Sequence, residues 1–244
     1  MRLNKFIAQA GITSRRKADQ LIEQGKVKVN KRPVFKPYYQ VDPNQDIITI
    51  GSKVIKPRDK DIYLLLNKPI EVITALSDPQ GRTTIYDLLP ASLTCKRPVP
   101  VGRLDYFSEG LLLLTTDGEL CYKLTHPKFK IPKTYRVKIR TERELPSKLK
   151  IMEKGMVLKE GEKVWPAQTR IITTNKHYTL IDITIKQGLN RQIRRMCRDL
   201  DLTILQLKRI KLGPLGLKNL APGKFRHLSS YELNLLKRTL KQSR

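Results

Sequence analysis

The stretch "PVGRLDYFSEGLLLLTTDGEL", residues 100–120, decides how the rest of the chain is read. Its second half is an apolar strand by composition, with leucine at 111, 112, 113 and 114 and turn residues on both sides. Its first half carries an acid. In an extended "GRLD", Arg103 and Asp105 project to one face and Leu104 to the other, so a guanidinium and a carboxylate share one side of the strand mouth. Gly102 before them and "SEG" after them permit sharp turns and close backbone approach. On four letters alone an Arg-x-Asp pair is a surface ion pair of little energetic weight. Beside an apolar wall of leucines, a carboxylate calls for cations near it.

Cations are plentiful. The chain carries 49 Lys and Arg against 22 Asp and Glu, a formal charge of +27 over 244 residues. Self-repulsion on that scale destabilises a compact state unless a polyanion relieves it, which makes nucleic acid the expected partner. A membrane surface is the rival polyanion. No segment has the apolar length of a spanning helix, and "MRLNKFIAQAG" at the N-terminus lacks the apolar core and cleavage site of a secretion signal, so no membrane partner and a cytoplasmic location are expected. Apolar residues, 39% of the chain, fall in short runs between Pro, Gly and charged clusters, the pattern of a folded protein long enough for two domains. Cys95, Cys121 and Cys197, like His126, His177 and His227, are scattered, which argues against a disulfide framework, a zinc site or a Cys/His nucleophile. No Walker loop, dinucleotide fingerprint or nucleophile elbow occurs, so whatever reaction takes place needs no recognisable nucleotide cofactor.

At the N-terminus Leu3, Phe6, Ile7 and Ala10 follow helical spacing, with Gly11 placed to end the helix. Ser14 can cap a second helix that buries Ala18, Leu21 and Ile22 and stops at Gly25. Its first turn carries Arg15, Arg16 and Lys17, three cations where the helix dipole favours anions; a phosphate on that helix end would reverse the cost. Alternation in "KVKVN" and "DIITIG" then marks short strands. This unit ends near Ile55, and "KPRDKD" at 56–61 reads as a linker. From residue 62 onward strands predominate, "PVPVGRL", "KTYRVKIR", "HYTLIDITIKQG" and "LQLKRIKLG" among them, with helices at "PSKLKIMEKGM" and "NRQIRRMCRDLDL". Strands without regular βαβ alternation argue for an α+β fold: a small α/β domain followed by a largely antiparallel β-sheet with flanking helices.

Two more stretches carry candidate chemistry. In "QGLNRQIRRMCRDL", residues 187–200, a helix capped by Asn190 would bury Ile193, Met196, Cys197 and Leu200 and spread Arg191, Arg194, Arg195 and Arg198 around the remainder. Arg194, flanked in projection by the apolar stripe, is the arginine best able to reach inward; the others are free for phosphates. In "PKTYRVKIR", Tyr135 lies between cations on a strand, where it can stack on a base or fill the core.

Taken together, "PVGRLDYFSEGLLLLTTDGEL", "LLNKP" upstream, "KTYRVKI" after it and "GLNRQIRRM" near the end resemble, in order and spacing across residues 62–244, the pseudouridine synthases that modify ribosomal RNA. Residues 1–55 resemble the S-four RNA-binding domain. The resemblance implies a cofactor-free and metal-free isomerisation in which uridine is detached from its sugar, rotated and rejoined through carbon. It implies a division into an RNA-binding domain at 1–55 and a catalytic domain at 62–244, joined by the linker at 56–61; a monomer is expected. Carried over residue by residue, it makes Asp105 the catalytic acid residue, pairs Arg194 with it, lays Tyr135 against the base and gives Arg103 a part in holding the flipped nucleotide. The "DPQGRTTIYDLLP" segment is similar to members acting on large-subunit ribosomal RNA. One departure is visible: the family commonly has Gly two residues after the Pro of "NKP", and here that residue is Glu71.

A non-catalytic ribosome-associated RNA-binding protein would explain the charge and the first helix pair equally well, but not an apolar wall flanking an Arg-x-Asp pair. A DNA-binding regulator using the Arg15 helix fits less well, because dimerisation heptads and a second recognition helix are missing.

Overall fold

The computed structural model describes residues 1–242, and its contacts divide them into two units. The first comprises residues 1–62 with 95–97 and 116–118. Helices α1 (Leu3–Gln9) and α2 (Arg15–Glu23) share a core with strands β1 (Val27–Val29), β3 (Ile48–Ile50) and β4 (Lys53–Ile55); with the exposed β2 (Arg32–Pro33) these strands pair antiparallel in the order β2-β1-β3-β4. Leu3, Phe6 and Ile7 of α1 and Ala18 and Ile22 of α2 are buried together with Val27, Val29 and Ile48, as their spacing predicts. Ser14 caps α2, its Oγ accepting from Lys17 N–H at 3.2 Å. Gly25, at φ +67°, turns the chain after the helix.

The second unit takes in β5 (Tyr63–Lys68), α3 (Ala91–Thr94), β6 (Val99–Pro100), β7 (Glu109–Thr115), most of α4 (Gly118–Thr125), β8 (Lys133–Arg140) and α5 (Leu145–Lys154). It continues through β9 (Met156–Val157), β10 (Lys163–Val164), β11 (Gln168–Thr174), β12 (Tyr178–Ile185), α6 (Gln192–Asp199), β13 (Ile204–Leu212), β14 (Leu215–Gly216), β15 (Phe225–His227) and α7 (Ser230–Gln242). Seven strands form the spine of a nine-stranded sheet in the order β11-β12-β8-β13-β7-β5-β15; β14 flanks β13 and β6 flanks β7. The fold is α+β and the sheet largely antiparallel. The exception is the short parallel contact between β13 and β7, where Arg209 lies opposite Gly110. Residue 110 must be glycine: its φ is +106°, and a Cβ there would stand 2.2 Å from the backbone oxygen of Arg209.

Leu111, Leu112, Leu113 and Leu114 are all fully buried, because this central strand is covered on both faces and has no solvent side to alternate with. Strand β12 alternates buried and half-exposed residues, the pattern of a sheet covered on one face. Two cores result. One joins Val137, Ile139, Ile181 and Ile183 to α5 and the Ile193–Met196–Cys197 stripe of α6; the other joins Leu111 and Leu113 to α4, Ile131, Leu212 and α7. Helix α7 begins with a reciprocal capping box, Ser229 Oγ accepting from Glu232 N–H (3.2 Å) and the Glu232 carboxylate from Ser229 N–H (3.1 Å). No helix among the described residues is long and apolar enough to cross a membrane.

Two expectations are corrected. "PVPVGRL" is a strand only at Val99–Pro100; residues 101–105 form none, because Gly102, at φ +73°, turns the chain out of the sheet. Helix α6 starts at Gln192, not after an Asn190 cap. Arg191 occupies the cap position at φ +48°, without a side-chain bond, and the left-handed backbone there delays the helix.

Candidate active site

A cavity of about 210 Å³ opens in the second unit where its two cores meet. Val101, Leu124 and Leu212 line it from one core, Ile185, Ile193 and Leu207 from the other. Its charged lining is lopsided: one carboxylate, Asp105, among five cations, Arg103, Lys133, Arg191, Arg194 and Arg209.

The loop carrying Asp105 is fixed through its backbone. Thr74 Oγ1 donates to Leu104 O (2.7 Å) and accepts from Leu104 N–H (3.2 Å). Glu71 N–H donates to Tyr106 O (2.8 Å), and Ser108 N–H to Asp105 O (3.0 Å). Leu104 is thereby buried, Arg103 exposed and Asp105 half-buried, so the alternation expected of "GRLD" persists outside any strand. Glu71 adopts φ +63°, the left-handed conformation that glycine takes without a Cβ penalty, at a cost of about 1 kcal/mol. The turn that follows "NKP" therefore keeps its backbone bond to the Asp105 loop without glycine.

Arg194 reaches inward from α6, but its Nη2 donates to Phe107 O (2.8 Å) and Ser108 Oγ (3.3 Å). Among the described residues no ion pair joins it to Asp105. Burial lowers the pKa of the guanidinium, and the nearby Asp105 charge pulls it the other way. The expected direct pair is thus replaced by a guanidinium that ties down the two residues after Tyr106 and acts on Asp105 through space. Behind the loop, Lys68 is fully buried and donates to Pro69 O (2.8 Å) and Val72 O (2.7 Å). Burial lowers its ammonium to about 8, against the raising pull of Asp105 and Glu109.

Tyr135 is half-buried on β8, opposite Ile183 of β12 and Arg209 of β13. Arg103 and Arg191 are exposed and line the cavity. Arg195 and Arg198 do not line it. Arg195 contacts Glu160 at 2.9 Å and Glu162; Arg198 contacts Glu160 at 2.8 Å and Asp199 at 2.7 Å. Glu160 is held down to about 2 by Arg195 and then Arg198. These two arginines, expected to be free for phosphates, face carboxylates because they project from the outer side of α6 toward the 160–162 turn. Arg15, Arg16 and Lys17 are exposed on the first turn of α2, with no acid beside them in that turn. Burial raises the Cys197 thiol to about 12, which suits a core residue and not a nucleophile.

Lys68, Thr74, Ser108, Lys133 and Arg209 were not singled out by sequence. Lys133 carried a usable signal, since it stands two residues before Tyr135 on one strand and so shares its face. Arg209 carried none: nothing in "LKRIKL" marks the middle cation as the inward one.

Residues 62–199 match the model of the RNA pseudouridylate synthase family, and residues 1–47 match that of the S4 domain. The chain is 41% identical over 240 residues to the ribosomal large subunit pseudouridine synthase B of Bacillus subtilis, covering 97% of this chain and 95% of that protein. It is 40% identical over 234 residues to an uncharacterized RNA pseudouridine synthase of Aquifex aeolicus, covering 96% and 92%. Its fold is similar to a crystal structure of a pseudouridylate synthase, with a TM-score of 0.68 and 29% identity over 97% of this chain and 99% of that one.

Proposed function

The chain belongs to the RNA pseudouridylate synthase family, and we propose that it isomerises a uridine of large-subunit ribosomal RNA, with Asp105 as its catalytic residue. The observation that carries this reading is the single carboxylate among five cations in the cavity. The reaction detaches uracil from C1′, turns it and rejoins it through C5, conserving every atom, so the protein need supply only a carboxylate, orientation and a field. Extruding the nucleotide from its stack costs a few kcal/mol, offset by stacking and phosphate contacts.

In this reading Tyr135 lies against the base, and Arg194 positions Asp105 by holding Phe107 O and Ser108 Oγ. Arg103 and Arg191 meet the RNA at the cavity. Arg15, Arg16 and Lys17 contact phosphates from the S4 domain; Arg195 and Arg198 belong to the scaffold. The chain divides into an RNA-binding domain at 1–55, a linker at 56–61 and a catalytic domain at 62–244. The large-subunit target is supported by the 41% identity to the B. subtilis enzyme, and such a target entails a cytoplasmic site of action.

The test is tritium release from large-subunit ribosomal RNA labelled at uridine C5, paired with mapping of pseudouridines in a strain lacking the gene. Release and loss of one large-subunit pseudouridine are expected. RNA binding without release would favour the non-catalytic alternative, and a pseudouridine lost from the small subunit would move the target.

A further inference from the structure

Two cations in the cavity have no part in holding the Asp105 loop. Lys133 and Tyr135 are two residues apart on β8 and both line the cavity, and Arg209 is the cross-strand partner of Tyr135 on β13. Arg209 is 2% exposed. Its Nε donates to Leu111 O at 2.8 Å, while its Nη2 is buried with no hydrogen-bond partner among the described residues. A buried donor left unmade is costly, and more so when charged. Such a group persists where something else uses it. Lys133 Nζ donates to Ile131 O at 3.2 Å, which leaves two of its three protons for other acceptors. Neither residue contacts a carboxylate among the described ion pairs. Two mutually repelling cations in one partly dry pocket are a poor arrangement unless negative charge visits them.

We propose that Lys133 and Arg209 form an anion subsite at the inner end of the cavity that stabilises the uracil after it leaves the sugar. This inference rests on the isomerase reading above. When C1′–N1 breaks, the base keeps the electron pair, and its negative charge spreads over N1, O2, C5 and O4; C1′ is left electron-poor. The pair then forms C1′–C5, the proton on C5 is lost and N1 takes one up, so product and substrate have the same atoms. Between the two bonds the base carries charge that it lacks as substrate. Donors fixed where that charge develops lower the barrier without tightening substrate binding. A backbone phosphate is the other oxyanion the pair could meet, but Arg209 is buried deep in the sheet, whereas Arg103 and Arg191 are the exposed cations of the lining.

The Lys133 charge offers a readout that a structural role would not move. Burial, and then Arg209, lower its ammonium to about 8. The charged and titratable groups sharing its cavity are Arg209 on β13, Tyr135 on its own strand, Arg103 and Asp105 on the loop before β7, and Arg191 and Arg194 at the start of α6. Lys68 titrates in the same range, so substitution at 133 decides which lysine is seen.

The experiment measures single-turnover tritium release at saturating C5-labelled ribosomal RNA from pH 6 to 10, together with RNA affinity as a function of salt. Wild type should lose rate as the pH rises through about 8. Lys133→Gln should be roughly a hundredfold slower at neutral pH with unchanged RNA affinity. Lys133→Arg, which stays charged, should recover most of the rate and abolish the alkaline fall. Arg209→Lys should lose rate as Lys133→Gln does; where it fails to fold, the Lys133 variants decide alone. Wild-type rate in Lys133→Gln, or an alkaline fall kept by Lys133→Arg, overturns the proposal while leaving the isomerase reading intact. Loss of affinity and a shallower salt slope at full rate would mean a phosphate contact instead. No tritium release from wild type would remove the isomerase reading, and this one with it.

Discussion

The two sides of α6 keep opposite company. Toward the cavity, Arg191 and Arg194 share space with Arg103, Lys133 and Arg209, and one carboxylate serves them all. Toward the outside, Arg195 and Arg198 share Glu160, with Glu162 and Asp199 beside them. The same residue type, one position apart, does different work. Where carboxylates answer the arginines, the charge is spent within the protein and helps hold the 160–162 turn; where they do not, the unbalanced field is available to a polyanion and to charge that develops in a reaction. Counting arginines does not distinguish the two. Counting the acids around each one does.

The contrast can be broken at several points. Its root is Asp105. Asp105→Asn, nearly isosteric, should lower single-turnover tritium release by at least about a thousandfold while RNA affinity stays close to wild type, since one charge hardly alters so large a field. Full turnover by the purified variant would end the catalytic assignment.

Arg194→Ala removes the guanidinium from Phe107 O and Ser108 Oγ and should slow the reaction roughly a hundredfold at saturating RNA. Arg194→Lys keeps the charge but not the planar fork, and should fall in between. A Lys variant as slow as the Ala variant would show that the fork matters more than the field; a Lys variant at the wild-type rate would show the reverse.

A smaller effect, on binding alone, is expected at the first turn of α2. Replacing Arg15, Arg16 and Lys17 with Ala should weaken RNA binding across sequences and flatten the log–log salt dependence by up to about three units, with single-turnover chemistry little changed. An unchanged slope would return these residues to a solvated turn.

Least of all should follow from Arg195→Ala or Arg198→Ala. Their carboxylate partners, Glu160, Glu162 and Asp199, already answer the charge within the protein and away from the cavity, so both rate and salt slope should match wild type. A shallower slope in either variant would erase the distinction between the two sides of α6.

Much of this was legible beforehand because it depends on local rules. The helical stripes at Leu3–Phe6–Ile7 and Ile193–Met196–Cys197, the Ser14 cap and the α+β class all follow from spacing and side-chain chemistry over short windows. The α7 capping box could have been read in "SSYE" by the same rule. Arg194 as the inward arginine was legible too, because an apolar stripe defines which way a helix faces.

Local rules thus fix which apolar residues turn inward on the helices, and with them the α+β class, the basic character and the isolated acid, but not an inward cation such as Arg209. What each inward residue meets depends on how the elements pack against one another. The oxygens that Arg194 grips, Phe107 O and Ser108 Oγ, lie 87 and 86 positions away from it in the chain, and Arg209 reaches Leu111 O across 98. Glu160 and Glu162 reach Arg195 from 35 and 33 positions away. Periodicity acts over one or two turns of a helix or a few residues of a strand; ion pairs and hydrogen bonds act over a few ångströms in space, and only chain folding brings those two scales together.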